Sequence, residues 1–164
     1  MLSRSTIKTP IGTLHLISHD HQLLASGFSN FKELSSQLLS DDQKREFKDV
    51  KRIPIITDLL EDYLNGDLKA LDGISVRQPG ERFSQSAWKA MRKVSPGKTI
   101  SYGELAKRAG SADAVRAAGS ACARNLIALV VPCHRIVKTG GALGNYAYGL
   151  EVKEWLLRHE GALK

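Results

Sequence analysis

The sequence predicts a two-part protein. An α/β domain over residues 1–78 is followed by a mainly helical domain over residues 79–164 that carries a winged-helix or helix-turn-helix motif. Three observations point that way. The first 28 residues read as antiparallel strands separated by turn residues. Gln78-Pro79-Gly80 punctuates the chain near its middle. Beyond it, capped helical segments alternate with glycine-containing turns. A chain of 164 residues is long enough for one large domain or two small ones.

In the N-terminal part, Pro10-Ile11-Gly12 precedes a run from Thr13 to Ser18, and a second run extends from Gln22 to Phe28. Between them, His19-Asp20-His21 reads as a solvated hairpin tip rather than a metal site. Leu34, Leu38 and Leu39 fit a short amphipathic helix, the charged stretch from Ser40 to Arg52 a loop, and Ile55 to Leu64 a helix stopped by Asn65-Gly66-Asp67. Ile74-Ser75-Val76 can add one strand.

The C-terminal part begins with a helix capped by Ser84 and running to about Val94. Ser101 can cap a second helix from Tyr102 to Ala109, with Glu104 completing a capping box. After Gly110-Ser111 a third helix runs from about Ala112 to Arg124. Two short helices joined by a glycine turn match the helix-turn-helix pattern, which by itself also fits helical hairpins that bind nothing. The third helix is thin, being rich in alanine around Gly119 and Ser120. Helical spacing puts Asp113, Arg116, Ser120 and Arg124 on one side, opposite Val115, Ala118, Gly119 and Cys122. A short buried strand, Leu129-Val130-Val131, ends at Pro132. A glycine-rich loop around Gly140-Gly141 and Gly144-Asn145 then leads to a last helix from Leu150 to His159, with Val152, Trp155, Leu156 and His159 on one face.

Charge divides the chain more sharply than composition does. Residues 1–80 hold 10 basic and 11 acidic residues, whereas residues 81–164 hold 14 basic and 6 acidic. A basic half is the electrostatic footprint of a polyanion partner, most simply nucleic acid. No segment approaches the roughly 18 apolar residues of a membrane span. The N-terminus lacks the apolar core of a signal peptide, so an intracellular, cytoplasmic location is expected. The two cysteines, Cys122 and Cys133, lack metal-type spacing, and neither a metal nor another cofactor is assigned.

Cys133 stands in Val130-Val131-Pro132-Cys133-His134-Arg135-Ile136-Val137. A proline after β-branched residues fixes a turn, and a thiol on that turn, followed by an imidazole and a guanidinium, sits where a thiolate could be stabilised. Cysteine is also among the most buried residue types, so this stretch alone leaves a structural thiol open.

Five segments together resemble the O6-alkylguanine-DNA alkyltransferase family, the methylated-DNA–protein-cysteine methyltransferases. They are Ser101-Tyr102-Gly103-Glu104-Leu105-Ala106, Ala114 to Gly119, Pro132-Cys133-His134-Arg135, Gly144-Asn145-Tyr146 and Lys153-Glu154-Trp155-Leu156-Leu157. The likeness is strong from about Phe83 to Gly161 and looser over the first 80 residues. It implies a ribonuclease H-like N-terminal domain, and a second helix of the helix-turn-helix that enters the minor groove. It implies irreversible, single-turnover transfer of an alkyl group, mainly methyl, from O6-alkylguanine in double-stranded DNA to Cys133 after base flipping, with O4-methylthymine as a further substrate. It also implies a monomer, possible cooperativity on DNA being a family trait that no residue here establishes.

Carried over by position, the resemblance makes Cys133 the nucleophile, His134 its base, Glu160 the carboxylate that orients the base, Tyr102 the donor to the leaving guanine, and Asn125 a buttress of the nucleophile. DNA contacts fall to Arg116, Ala117, Ser120, Tyr102 and Arg124, with Arg116 filling the gap left by the flipped base. The substrate pocket falls to Ile136, Asn145, Ala147 and Tyr148, the carbonyls of Cys133 and Ile136 accepting the guanine amine. Four positions depart from the common pattern. Ser84 follows Phe83 where a glutamine is usual, which implies a packing change only. Leu126 replaces a proline, Ala147 replaces a serine hydroxyl, and bulky Tyr148 replaces a small residue, which predicts a narrowed pocket that disfavours large adducts such as benzyl. The rivals are a DNA-binding module without chemistry, a helix-turn-helix regulator and a cysteine hydrolase.

Overall fold

A computed structural model describes all residues from Met1 to Lys164 and divides them into two compact units. The first comprises Met1–Pro79 with Leu126–Val130, and the second Gly80–Asn125 with Val131–Lys164. Residues 126–130, expected within the C-terminal domain, thus belong to the N-terminal unit. The cause is hydrogen bonding: Ser26 N donates to Leu126 O, Ala128 N to Ser26 O, and Ser26 Oγ to Ala128 O.

In the first unit, β1 (Leu2–Thr9), β2 (Gly12–His19) and β3 (Gln22–Gly27) form an antiparallel meander. The β2–β3 hairpin turns on Asp20 and His21 at φ 48° and 67°, the two left-handed positions that a tight hairpin requires. Leu14, Leu16 and Ile17 of β2 and Leu23, Leu24 and Ala25 of β3 are buried. Helix α1 (Phe31–Ser36) is capped by Asn30, whose side chain accepts from Glu33 N. It ends before Leu38 and Leu39, and Leu39 is exposed, so the predicted leucine face extends past the helix itself.

The stretch from Ser40 to Arg52 is more regular than the expected loop. It forms α2 (Ser40–Gln43) and β4 (Phe47–Asp49), the latter pairing parallel with β1 to give the sheet order β3-β2-β1-β4. Charge concealed both. Asp42 is buried and receives Arg45 Nε at 3.1 Å and Arg77 Nη1 at 2.9 Å, while every residue of β4 is exposed. Helix α3 (Ile56–Leu64) follows as expected, with Ile56, Leu60 and Tyr63 buried and Ile55 outside it. The strand expected at residues 74–76 is reduced to a single bridge between Leu23 and Val76.

The second unit opens with α4 (Arg82–Arg92), whose cap position is Glu81. Ser84 lies buried inside the helix instead of capping it. Gly80 is needed immediately before, because a Cβ there would come within 2.4 Å of the Trp88 ring. The Trp88 Nε1 donates to Ala121 O at 2.9 Å, tying α4 to the third helix. Strand β5 (Ile100–Ser101) leads directly into α5 (Tyr102–Arg108). Ser101 caps it by accepting from Glu104 N, but the Glu104 carboxylate turns to Arg108. The helix ends at Gly110, φ 110°, where Ser111 N reaches Ala106 O and Gly110 N reaches Lys107 O. That turn launches α6 (Val115–Arg124) and completes the helix-turn-helix.

Residues 129–131 form a turn, with Leu129 at φ 72°, and not the expected strand. A one-turn 3-10 helix (Cys133–Arg135) and β6 (Ile136–Val137) follow, β6 pairing parallel with β5. In α7 (Leu150–His159) the buried residues are Lys153, Leu156 and Leu157. The expected face is displaced because Trp155 and His159 stack on each other at 4.8 Å while half-exposed.

Candidate active site

The β5–β6 pair fixes the catalytic neighbourhood. Ile100 lies opposite Ile136 and Ser101 opposite Val137, so the parallel ladder sets the start of α5 beside Lys138 at one end, while the turn holding Cys133 leads into the other. Cys133 is buried, at 8% exposure, and its backbone N–H bonds Val131 O. Asn125, at the end of α6, donates from Nδ2 to Val131 O at 2.8 Å and lies 3.4 Å from Cys133 Sγ. One amide therefore holds both the turn and the sulfur. Burial pushes the Cys133 thiol up, and the Asn125 amide and the Lys153 ammonium oppose that push. The resting sulfur is a thiol, which must lose its proton to act as a nucleophile.

His134 and Glu160 form a buried pair. Both side chains are fully buried, and His134 Nε2 lies 2.8 Å from Glu160 Oε2. The same carboxylate takes a bidentate grip from Arg135, Nε to Oε1 at 2.8 Å and Nη2 to Oε2 at 2.9 Å. Burial alone would raise the Glu160 carboxyl, but its His134 and Arg135 donors outweigh burial and hold it well below the usual carboxylate range. Burial also pushes the His134 imidazole down, so it is neutral near pH 7. An ionised carboxylate can only accept, so Nε2 carries the ring proton. Nδ1 is then a bare lone pair, buried, with no hydrogen-bond partner in the protein. A neutral imidazole oriented by a carboxylate, with its other nitrogen open, is the arrangement a general base needs.

Lys153 of α7 is fully buried and its ammonium donates to three carbonyls: Ile136 O at 2.6 Å, Leu143 O at 2.5 Å and Asn145 O at 3.3 Å. It pins the glycine-rich loop to β6. Burial depresses its pKa, countered by the nearby thiols of Cys133 and Cys122. Sequence reasoning gave Lys153 no role, although reading Lys153, Leu156, Leu157 and Glu160 at helical spacing as the inward face of α7 would have found it.

A cleft of about 740 Å³ opens onto Cys133, within the usual range for ligand sites. All its lining residues belong to the second unit. Tyr102 stands in the wall, its hydroxyl pushed up to about 12 by burial and by the two cysteines, so it remains a proton donor at neutral pH. Helix α6 contributes Val115, Arg116, Gly119, Ser120, Cys122 and Ala123, and the loop contributes Asn145, Tyr146 and Ala147. Val115, Gly119 and Cys122, expected on the side opposite Arg116 and Ser120, line the cleft together with them, and of that group only Ala118 is buried. Ala117 and Arg124 are exposed on α6 but do not line the cleft, and Arg124 lies 3.8 Å from Glu81.

Two expected pocket residues are placed elsewhere. Ile136 is fully buried and its carbonyl is taken by Lys153. Tyr148 packs edge-on against Tyr146 at 6.0 Å and does not line the cleft, so the narrowing expected from it is absent here. Lys138 and Cys122, to which the sequence gave no site role, both line it.

Comparison with known proteins agrees with this geometry. Residues 82–162 match the family described as 6-O-methylguanine DNA methyltransferase, DNA binding domain. The methylated-DNA–protein-cysteine methyltransferase of Salmonella typhimurium is 35% identical over 168 residues, covering 99% of this chain and 97% of that protein. The chain belongs to the methylated-DNA–protein-cysteine methyltransferase family. Its fold is that of the methyltransferases: the crystal structure of Mycobacterium tuberculosis O6-methylguanine methyltransferase superposes with a TM-score of 0.77 at 30% identity, covering 99% of this chain and 94% of that one. A structure of M. tuberculosis OGT in complex with DNA superposes with a TM-score of 0.79 at 30% identity, covering 98% and 93%. The buried Cys133, His134 and Glu160 of this methyltransferase-family chain thus lie at the base of the helix-turn-helix half, where the basic residues are concentrated.

Proposed function

We propose that this protein repairs alkylated DNA by moving the alkyl group of O6-alkylguanine in a duplex onto Cys133. The observation that carries the reading is the buried Cys133 opening onto a cleft whose outer wall is a thin, arginine-bearing helix, with the buried His134–Glu160 pair next to it in the chain. In the first step the Cys133 proton passes to His134 Nδ1, directly or through one water, while Glu160 stabilises the imidazolium that forms. The thiolate attacks the alkyl carbon, a C–S bond forms, and the C–O6 electron pair leaves with guanine. Tyr102 donates the proton that neutralises the purine. The thioether is stable, and nothing lining the cleft can cleave it, so each chain turns over once.

Because the cleft floor is buried, the damaged nucleotide has to leave the base stack. Arg116, Ala117 and Ser120 face the duplex, Arg116 filling the vacated position, with Arg124 outside the cleft as a phosphate contact. O4-methylthymine offers an equivalent alkyl–oxygen bond and is a second substrate. Duplex DNA carrying labelled O6-methylguanine tests the proposal: label moves to the wild-type protein and not to Cys133→Ser. Tight binding of the lesion without label transfer would favour a recognition module over a transferase.

A further inference from the structure

Lys138 stands beside the residue expected to meet the base. Ser101 pairs with Val137 in the β5–β6 ladder, and the next residues along the two chains are Tyr102 and Lys138. Gly144, φ 76°, shows how close they come: a Cβ there would lie 3.2 Å from Tyr102 Oη and 3.4 Å from Lys138 Cγ. The Lys138 backbone is fixed, its N–H bonding Ala142 O at 2.8 Å and its carbonyl accepting from Gly141 N at 3.0 Å. Its side chain is exposed and lines the cleft. The cleft lining contains two cations, Arg116 and Lys138, and no aspartate or glutamate. Arg116 projects from the helix facing DNA, whereas Lys138 projects from the wall that holds the Tyr102 hydroxyl.

We propose that Lys138 is a specificity determinant that makes carboxyalkyl adducts, such as O6-carboxymethylguanine, favoured substrates of this site. The inference rests on the alkyl-transfer reading above and adds a charge preference to it. A carboxymethyl group presents an unhindered CH₂ to Cys133 and a carboxylate beyond it, and an ammonium on the cleft wall attracts that carboxylate where no acidic side chain opposes it. The transfer balances as for methyl. The thiolate forms an S–CH₂ bond, the CH₂–O6 bond breaks with its electron pair going to O6, Tyr102 supplies the proton to the purine, and the product is S-carboxymethyl Cys133.

Single-turnover transfer rates at saturating duplex test this, because a mere phosphate contact by Lys138 then drops out. The substrates are duplexes carrying O6-carboxymethylguanine, its uncharged isostere O6-carbamoylmethylguanine, and O6-methylguanine. The wild type is expected to transfer the carboxymethyl group about two- to fivefold faster than the carbamoylmethyl group, the scale of a partly screened ion pair. Lys138→Gln is expected to level the two rates and Lys138→Glu to reverse them. Equal rates in the wild type, or a preference that survives in Lys138→Gln, overturn the assignment. Failure of the wild type to accept methyl from O6-methylguanine would instead break the alkyl-transfer reading, and the Lys138 assignment with it.

Discussion

Gly119 sits mid-way along α6, where glycine is a poor choice for the helix itself. A Cβ built on it meets no heavy atom of the protein within 4 Å, and the residue lines the cleft. No intramolecular contact therefore calls for glycine, and Gly119→Ala should recover the full propensity difference of about 0.8–1.0 kcal/mol. For a chain of this size that is a rise in Tm of about 2–4 °C. If α6 is the surface that enters the groove, the added methyl occupies space the duplex needs, and affinity should fall by about tenfold, or ~1.4 kcal/mol. Thermal unfolding of the free protein and fluorescence-anisotropy titration of a labelled duplex give the two halves. A stabilised protein with weaker DNA binding fits. Loss of stability would mean that the glycine serves internal packing, and unchanged affinity would mean that α6 does not face DNA.

Other variants probe the buried network. Glu160→Gln leaves the Arg135 guanidinium buried without an anion and should cost about 3–5 kcal/mol in urea unfolding, with label transfer abolished; a loss under 1 kcal/mol would contradict the pairing. Lys153→Met strands the buried Ile136 carbonyl, which should cost about 1–3 kcal/mol. It should also shift the pH profile of Cys133 alkylation by iodoacetamide upward, because a cation that lowers the thiol is gone; an unshifted profile would confine Lys153 to a structural role. Stability should fall on acidification in two stages. Folded His134 titrates below its ordinary 6.5 and folded Glu160 below its ordinary 4.5, so in each window the unfolded chain binds more protons. Stability is lost from about pH 6.5 downward and further below about pH 4.5, and urea midpoints that stay flat between pH 8 and 4 would contradict these shifts.

Much of the fold was legible because its signals are local. Hairpin alternation around Asp20, the Ser101 cap and the glycine at the end of α5 each depend on a few neighbouring residues. What escaped was set by distant partners. Buried Asp42 is met by Arg77, 35 positions on, as well as by Arg45, so a charged stretch concealed α2 and an edge strand. Residues 126–130 join the N-terminal unit through bonds to Ser26 that no local pattern announces. In the site, motif and family likeness pointed to Cys133, His134, Glu160, Tyr102 and Asn125, and the structure bonds Asn125 to Cys133 and His134 to Glu160 as two separate pairs, with Tyr102 in the cleft wall. Lys153 was passed over because a lysine on a helix is ordinarily solvated, and Tyr148 was overweighted because sequence cannot show that its ring turns onto Tyr146.

Mass spectrometry of the protein after incubation with O6-methylguanine duplex tests the central claim most directly. One added CH₂, about 14 Da, is expected on the peptide holding Cys133, with Cys122 unmodified and no further gain on a second dose of substrate. An unchanged mass with DNA bound, or a methyl group on Cys122, would contradict it.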